Sequence, residues 1–330
     1  MTMGKRHSQL TLDEREKISI LKASGKSLRE IGILIGKHAS TLSRELKRNS
    51  FKAFGFTGYG PARAEISARK RKSKAAKRTR LKNQQIRNYV TQKLKLFWSP
   101  EQIAGRIRLD HPELSISHEA IYQFIYEEDW SLFPFLARKH KRRRLRFNYK
   151  KSQGHPIPGR TWISQRPEAV NQRQEFGHWE ADSMVSRANS TSLHALVERK
   201  SRYLKITKIP RNTSGCVRNA VIRRLSPLSK FTRLSITYDN GFENSNHLEI
   251  NRELKTKSFF CNPYHSWEKG SVENANGLVR RFIPKKTDFQ KIPTTEISQI
   301  ENLINNRPRK CLNYQTPKEV FKNLSVAIAG

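Results

Sequence analysis

The chain has 330 residues, 65 of them Lys or Arg against 28 Asp or Glu, for a formal charge of +37. At roughly 100–200 residues per domain that length implies two or three domains. No run reaches the roughly 18–20 apolar residues of a membrane span, and the N-terminus, polar from Lys5 onward, has no signal-peptide block. Cys216, Cys261 and Cys311 lie too far apart for a disulfide framework or a cysteine zinc site. What remains is a soluble protein of a reducing compartment whose charge calls for a polyanion. Residues 1–170 hold 38 Lys/Arg and 14 Asp/Glu, net +24, whereas residues 171–330 hold 27 and 14, net +13. The front half is therefore the main electrostatic footprint, suited to neutralising phosphates.

Residues 1–50 are expected to form an all-α helix-turn-helix domain. Thr11 with Glu14 and Ser27 with Glu30 are capping-box pairs, each followed by apolar residues at helical spacing, and Gly36 separates the second helix from a third starting near Ser40. In that arrangement the third helix presents Lys37, His38, Ser40, Thr41, Ser43 and Arg44 to the major groove; a plain three-helix packing unit is the bland alternative. Residues 51–95 read as a basic linker or helical strap, with ten Lys/Arg between 63 and 82. Residues 96–137 form a second helical, helix-turn-helix-like unit, starting at the Ser99-Pro100-Glu101 cap, that binds DNA or serves as a packing hairpin. A second basic linker is expected over 138–170, where Arg142-Arg143-Arg144 is followed by Phe147 and Tyr149, aromatics that can stack on unpaired bases.

From 171 to the end the pattern becomes α/β. Trp179, Ala181 and Val185 alternate with Glu180, Asp182 and Met184 in one strand; Leu193 to Val197 and the segment from Leu204 give two more. A helix around Val217 leads to a strand that ends at Asp239 before the turn pair Asn240-Gly241. A helix near 245–254, a strand at Ser258–Cys261 and a helix from about Ser271 carrying Glu273 complete a mixed, three-layer order. An amphipathic helix from Glu296 is expected to pack on this core, with pairing of protomers as its other use. Asp182 and Asp239 at neighbouring strand ends, with Glu273 on an adjacent helix, would converge at one edge of the sheet. Like charges that close repel unless cations join them. Hard oxygen ligands favour Mg2+, with Mn2+ as a substitute, and two such ions can activate the attacking oxygen and stabilise the leaving one in phosphoryl transfer. Asn276 and Arg280 share a helical face with Glu273 and are candidate DNA contacts. Glu180 and Glu268 compete for places in the cluster.

These residues carry a family resemblance. The back half resembles the DDE transposases and retroviral-type integrases with their RNase H-like core. The whole chain resembles the IS-thirty family of bacterial insertion-sequence transposases, through Ser40–Glu45, Trp98–Ile103, Gly177–Asp182, Val197–Arg202, Asp239–Gly241, Glu273–Gly277, Asn306–Lys310 and Tyr314–Pro317, in order. Ala181 stands where that family usually has glycine. The resemblance implies that Asp182, Asp239 and Glu273 form the catalytic triad and hold two Mg2+ ions. It also implies that the front half binds double-stranded DNA at the element's terminal inverted repeats, and that water cleaves the element's end before its 3′-hydroxyl attacks target DNA. A homo-oligomer, dimer or higher, on DNA in the bacterial cytoplasm at the nucleoid fits this activity, with no membrane partner. A sequence-specific DNA-binding regulator with an inactive core, or a nuclease without strand transfer, are the other readings.

Overall fold

The computed structural model describes residues 9–53, 56–76, 81–136, 157–186, 188–263 and 265–329, in two compact units that divide between Arg80 and Leu81. The basic run at 138–151, with its arginine triplet, Phe147 and Tyr149, lies outside the described residues. Among the described residues no helix is long and apolar enough to cross a membrane.

In the first unit, helices α1 (Leu12–Ala23), α2 (Leu28–Ile35) and α3 (Ala39–Asn49) start where the sequence supplies caps. Thr11 with Glu14 and Ser27 with Glu30 exchange reciprocal side-chain and backbone bonds, satisfying amides that a helix start leaves without partners. Ile18, Ile31, Leu42 and Leu46 close a small core. Strand β1 (Ser50–Ala53) then pairs antiparallel with β2 (Phe56–Tyr59), and α4 (Pro61–Ala76) follows. Much of the segment expected as a basic linker or strap is therefore folded. Its docking is polar, which hydrophobic periodicity does not reveal. The buried Arg15 joins Glu45 of α3 at 2.8 Å and Glu65 of α4 at 2.5 Å, and Arg71 reaches Asn49 at 2.9 Å.

The second unit begins with α5 (Gln84–Lys95), α6 (Pro100–Asp110) and α7 (His118–Glu127), closed by a 3-10 turn at Trp130–Phe135. Leu81, Val90 and Leu94 pack with Ile103, Ile107, Ile121 and Phe124. This cluster therefore draws in α5, from within the segment expected as a basic linker or helical strap. Residues 157–170, expected as linker, lie against the sheet described next. Ile157 is in its core, Trp162 bridges to Phe260, and the short α8 (Glu168–Asn171) buries Val170.

The sheet has five strands, β3 (His178–Val185), β4 (Ser192–Glu198), β5 (Leu204–Ile209), β6 (Ser235–Tyr238) and β7 (Lys257–Phe260), in the order β5-β4-β3-β6-β7. β3, β4 and β5 are an antiparallel meander, whereas β6 and β7 run parallel to β3. A parallel neighbour requires a crossover, and α9 (Ser214–Leu225) and α10 (His247–Leu254) supply them. These two helices pack on Trp179, Leu196, Ile236 and Tyr238 of one face. α11 (Gly270–Phe282) and α12 (Thr294–Asn305) pack on Met184, Leu193, Val197 and Leu204 of the other. The result is the mixed, three-layer α/β arrangement expected from the pattern. The amphipathic stretch from Glu296 lies within α12, with Ile297, Ile300 and Ile304 in the core.

The last helix, α13 (Pro317–Ala329), follows a joint to the α5–α7 cluster. Arg106 forks onto both oxygens of Glu319 at 2.7 Å each, and Arg307 donates to Gln102 at 2.7 Å. Tyr314 lies so near Gly105 that a Cβ there would sit 2.4 Å from the ring. The Asn306–Lys310 and Tyr314–Pro317 stretches thus lie at this joint with α6.

The hydrogen bond from Arg106 holds the Glu319 carboxyl down to about 2, from an ordinary value of 4.5. A carboxylate lowered on folding adds stability above its unfolded pKa and loses it as pH falls through the folded one. The Glu319 side chain is 42% exposed, so solvent screening limits the contribution to about 1 kcal/mol. Glu319→Gln should cost about that much at neutral pH in urea melts, with the difference from wild type shrinking from pH 4.5 toward 2. A difference that stays constant over that window removes the ion pair as its cause.

Candidate active site

Strand alternation decides which face each residue of β3 occupies. Trp179 and Ala181 point to the α9/α10 layer, so Glu180, Asp182 and Met184 point toward α11. The β3–β6 register pairs His178 with Ser235, Trp179 with Ile236 and Glu180 with Thr237, a constant offset of 57 (235 − 178). Continuing it by two residues sets Asp239, just past the end of β6, beside Asp182. Adjacent strands stand about 4.8 Å apart, so the two carboxylates are neighbours on one face.

A cation already joins them. Lys269, 5% exposed at the end of the 3-10 turn Ser266–Lys269, donates from Nζ to Asp182 Oδ1 at 2.9 Å, Asp239 Oδ2 at 3.0 Å and the Ala181 carbonyl at 3.1 Å. Asn276 of α11 donates to the other Asp182 oxygen at 2.5 Å. Asp239 Oδ1 accepts from the Gly241 amide at 3.2 Å and Asn244 Nδ2 at 2.9 Å, while Asn240 ties the same turn to the Cys261 carbonyl. Burial, reinforced by Asp239, lifts the Asp182 carboxyl above its ordinary value in spite of Lys269. Burial raises Asp239 as well, but Lys269 and the turn's hydrogen bonds outweigh it and hold Asp239 below the usual range. A proton shared within the pair therefore favours Asp182.

The competing acids are occupied elsewhere. Glu180, fully buried, pairs with Arg199 and accepts the Ser271 and Val272 amides at 2.9 Å each. It thereby puts an anion on the first amides of α11, which have no partner within the helix. Glu268 accepts from the Asn262 amide at 2.8 Å and its side chain at 2.9 Å, closing the turn before α11. Glu198 accepts from Gly177, Lys200 and Ser201 at the β4–β5 turn. Gly177 itself adopts φ +93°, and a Cβ there would lie 2.8 Å from the Phe231 carbonyl.

Glu273 stands in the first turn of α11 with its side chain exposed, one turn before Asn276. The structure brings Asp182, Asp239 and Asn276 together with Lys269 and leaves Glu273 apart. Among the described residues no three His, Cys, Asp or Glu side chains gather as a metal-binding group. Lys269 and Asn276 instead supply the partners of the two aspartates. The donor set still fits a hard divalent ion. It is all oxygen, and Asn276 Oδ1 is buried without a hydrogen-bond partner beside Asp182.

Asn276, expected as a DNA contact, is turned onto Asp182, and the Arg280 guanidinium lies 5.3 Å from the centre of the Phe289 ring. In the first unit, Thr41, Ser43 and Arg44 are exposed on α3, Ser40 is half-buried, and His38 caps the helix through Ser40 at 3.2 Å. Lys37 pairs with Glu14 at 3.3 Å. Lys269 is not among the residues the sequence singles out; it lies four residues before Glu273, directly ahead of α11, with no local pattern that marks it as buried.

The model of a helix-turn-helix domain matches residues 6–49. Over 97% of its length the chain is 36% identical to the transposase for insertion sequence element IS4351 of Bacteroides fragilis, covering 99% of that protein. It is 33% identical, over 96% of its length, to transposase InsI for element IS30A of Escherichia coli, covering 84% of that protein. A transposase for element IS1086 of Cupriavidus metallidurans is likewise 33% identical, with 96% and 95% covered. Among solved structures, the catalytic core domain of BIV integrase aligns with 47% of this chain and 99% of its own, at 20% identity and a TM-score of 0.38.

Removing one partner of a buried ion pair leaves an uncompensated charge, at a cost of about 3–5 kcal/mol. Glu180→Ala should lose about that much unfolding free energy in urea melts, whereas the double variant Glu180→Leu/Arg199→Leu should lose distinctly less. Equal losses in the two would mean that Glu180 anchors α11 through its amide bonds alone.

Proposed function

The chain belongs to the IS-thirty (IS30) family of insertion-sequence transposases, and from that premise we propose that Asp182, Asp239 and Glu273 are its catalytic acids, acting on the ends of its own element. The reading is supported above all by one observation: two aspartates remote in sequence lie on one sheet face, bridged by a single cation. Divalent ions, two Mg2+ with Mn2+ as a substitute, would supply activation of the attacking oxygen and stabilisation of the leaving oxygen during in-line phosphoryl transfer. Asp182 and Asp239 would hold them from the sheet and Glu273 from the first turn of α11, with the buried Asn276 oxygen beside them.

The protein's own residues supply positioning. α3 enters the major groove of the terminal inverted repeat, where Arg44, with Thr41 and Ser43, meets base edges, and His38 and Lys37 lie at the helix start near the backbone. Arg280 and the remaining basic residues hold phosphates near the acids. Water first cleaves a phosphodiester at the element's end, leaving a 3′-hydroxyl; that hydroxyl then attacks the target strand and displaces its 3′-oxygen. No covalent enzyme intermediate forms, so alignment of the DNA end supplies much of the acceleration. Two ends must meet for the second step, which a dimer or higher oligomer on DNA provides. The reaction belongs in the bacterial cytoplasm, at the nucleoid. The exposed, unengaged Glu273 is the observation that favours the other reading, a DNA-binding regulator with an inactive core.

Asp182→Asn, Asp239→Asn and Glu273→Gln should each lower cleavage and strand transfer by about 10²–10³-fold or more, in an assay with labelled end DNA, target plasmid and Mg2+, while end binding in gel shifts stays near wild type. Wild-type protein that binds ends but never cleaves them supports the regulator instead. Separately, Arg44→Ala should weaken binding to the terminal repeat by about 1–3 kcal/mol and leave random DNA little affected. An equal loss on both would reduce Arg44 to a phosphate contact.

A further inference from the structure

Lys269 is the one ammonium of the site whose three donors are all spent on the floor of the acid cluster. Two go to the facing oxygens of Asp182 and Asp239, at 2.9 and 3.0 Å, and the third to the Ala181 carbonyl at 3.1 Å. An ammonium has no fourth donor, so its shell is complete within the protein. The group is nearly sealed from solvent, at 5% exposure, while the neighbouring Trp267 in the same short turn is 68% exposed. Burying an ammonium this deeply is costly unless acids pair with it, and among the described residues the acids it pairs with are the two aspartates.

We propose that Lys269 is a resident counter-ion of the active site: it occupies the place of a divalent cation between Asp182 and Asp239 and has to leave when such a cation binds. The inference rests on the reading of Asp182 and Asp239 as metal-holding acids. Its core is competition for the same oxygens. A divalent ion held by Asp182 and Asp239 would meet the ammonium at hydrogen-bond distance from the atoms that bind it, and two cations do not share that position. Without Lys269, adjacent carboxylates would repel in the metal-free protein. With it, the pair stays assembled and metal binding is weakened by whatever the displacement costs. The coupling is reciprocal: what Lys269 adds to the metal-free site it subtracts from metal affinity.

The test uses the full-length chain without DNA and Mn2+ as the probe, with free Mn2+ counted by electron paramagnetic resonance. Lys269→Met should bind Mn2+ more tightly than wild type by a factor of about 5–150, the usual span of such couplings. The metal-free variant should also melt below wild type and be rescued further by Mn2+. In wild type, acylation of Lys269 by acetic anhydride, mapped by mass spectrometry, should be slow without metal and become fast when Mn2+ saturates the site. The proposal is overturned if Lys269→Met binds Mn2+ no more tightly, or if Lys269 stays protected in the Mn2+-saturated wild type. Should Lys269→Met fail to fold, the acylation measurement decides alone. Asp182→Asn separates the two levels. If it abolishes Mn2+ binding while Lys269→Met leaves affinity unchanged, only the counter-ion role falls. If Asp182→Asn binds Mn2+ normally, the metal-holding role of the acids falls, and this inference with it.

Discussion

Two negative charges set side by side on a partly buried sheet face need a positive one, and most of this site follows from that requirement. The 57-residue offset between β3 and β6 aligns Asp182 with Asp239 whatever else the chain does. Once aligned, the carboxylates are too close to be left to themselves in a medium less polarisable than water. Lys269 meets the demand from the turn before α11, Asn276 meets what is left of it on Asp182, and the turn after β6 meets it on Asp239. In a protein of charge +37 the two aspartates of this acidic centre are each individually matched.

The stretch Gly177–Asp182 shows how closely scaffold and chemistry are interleaved. Gly177 allows a backbone approach that any side chain would block, and His178 bonds Ser235 at 2.7 Å across the strand pair. Trp179 fills the core while its ring nitrogen donates to the Thr232 carbonyl at 2.9 Å. Glu180 holds the start of α11, the Ala181 carbonyl holds Lys269, and Asp182 lies in the site. Alternation makes this possible, since Glu180 and Asp182 point to the same layer and reach the two ends of one task. Val197–Arg202 works similarly: Glu198 closes its own turn, Arg199 meets Glu180, and Arg202 meets Ser271 at 2.5 Å.

Strands, their order and the aspartate pair were legible in the sequence because they obey local rules. Period-two alternation marked β3 and β4, a glycine turn marked the end of β6, and capping boxes marked α1 and α2. What was not legible depends on contacts far apart in the chain. Lys269 is one of 65 basic residues, and nothing near it in sequence announces burial against acids 87 and 30 positions away. The docking of α4 rests on Arg15 and Glu65, residues that periodicity reads as solvent-facing. Glu180 and Asp182 could not be separated by spacing, because only the position of α11 decides which of them meets the helix and which meets Asp239.

α11 is accordingly the element through which the unit is mechanically connected. Its start is clamped by Glu180, Arg202 and Arg173 on amides or the Ser271 hydroxyl, and its inner face by Val272, Ala275 and Val279 in the core. Its far end is gripped from the α5–α7 cluster, since Arg281 donates to the Phe97 and Phe135 carbonyls at 3.5 and 3.4 Å and Phe282 meets the Phe97 ring edge-on. A helix of 13 residues spans about 20 Å, so Glu273 and Asn276 keep a fixed distance from whatever the cluster holds. Near the acids the freely rotatable bonds are those of the side chains: Glu273 has its own and Lys269 its four-carbon stem, borne on strands and a helix tied at several points. A site built this way can exchange one cation for another without refolding, because the exchange asks for rotamers and not for backbone.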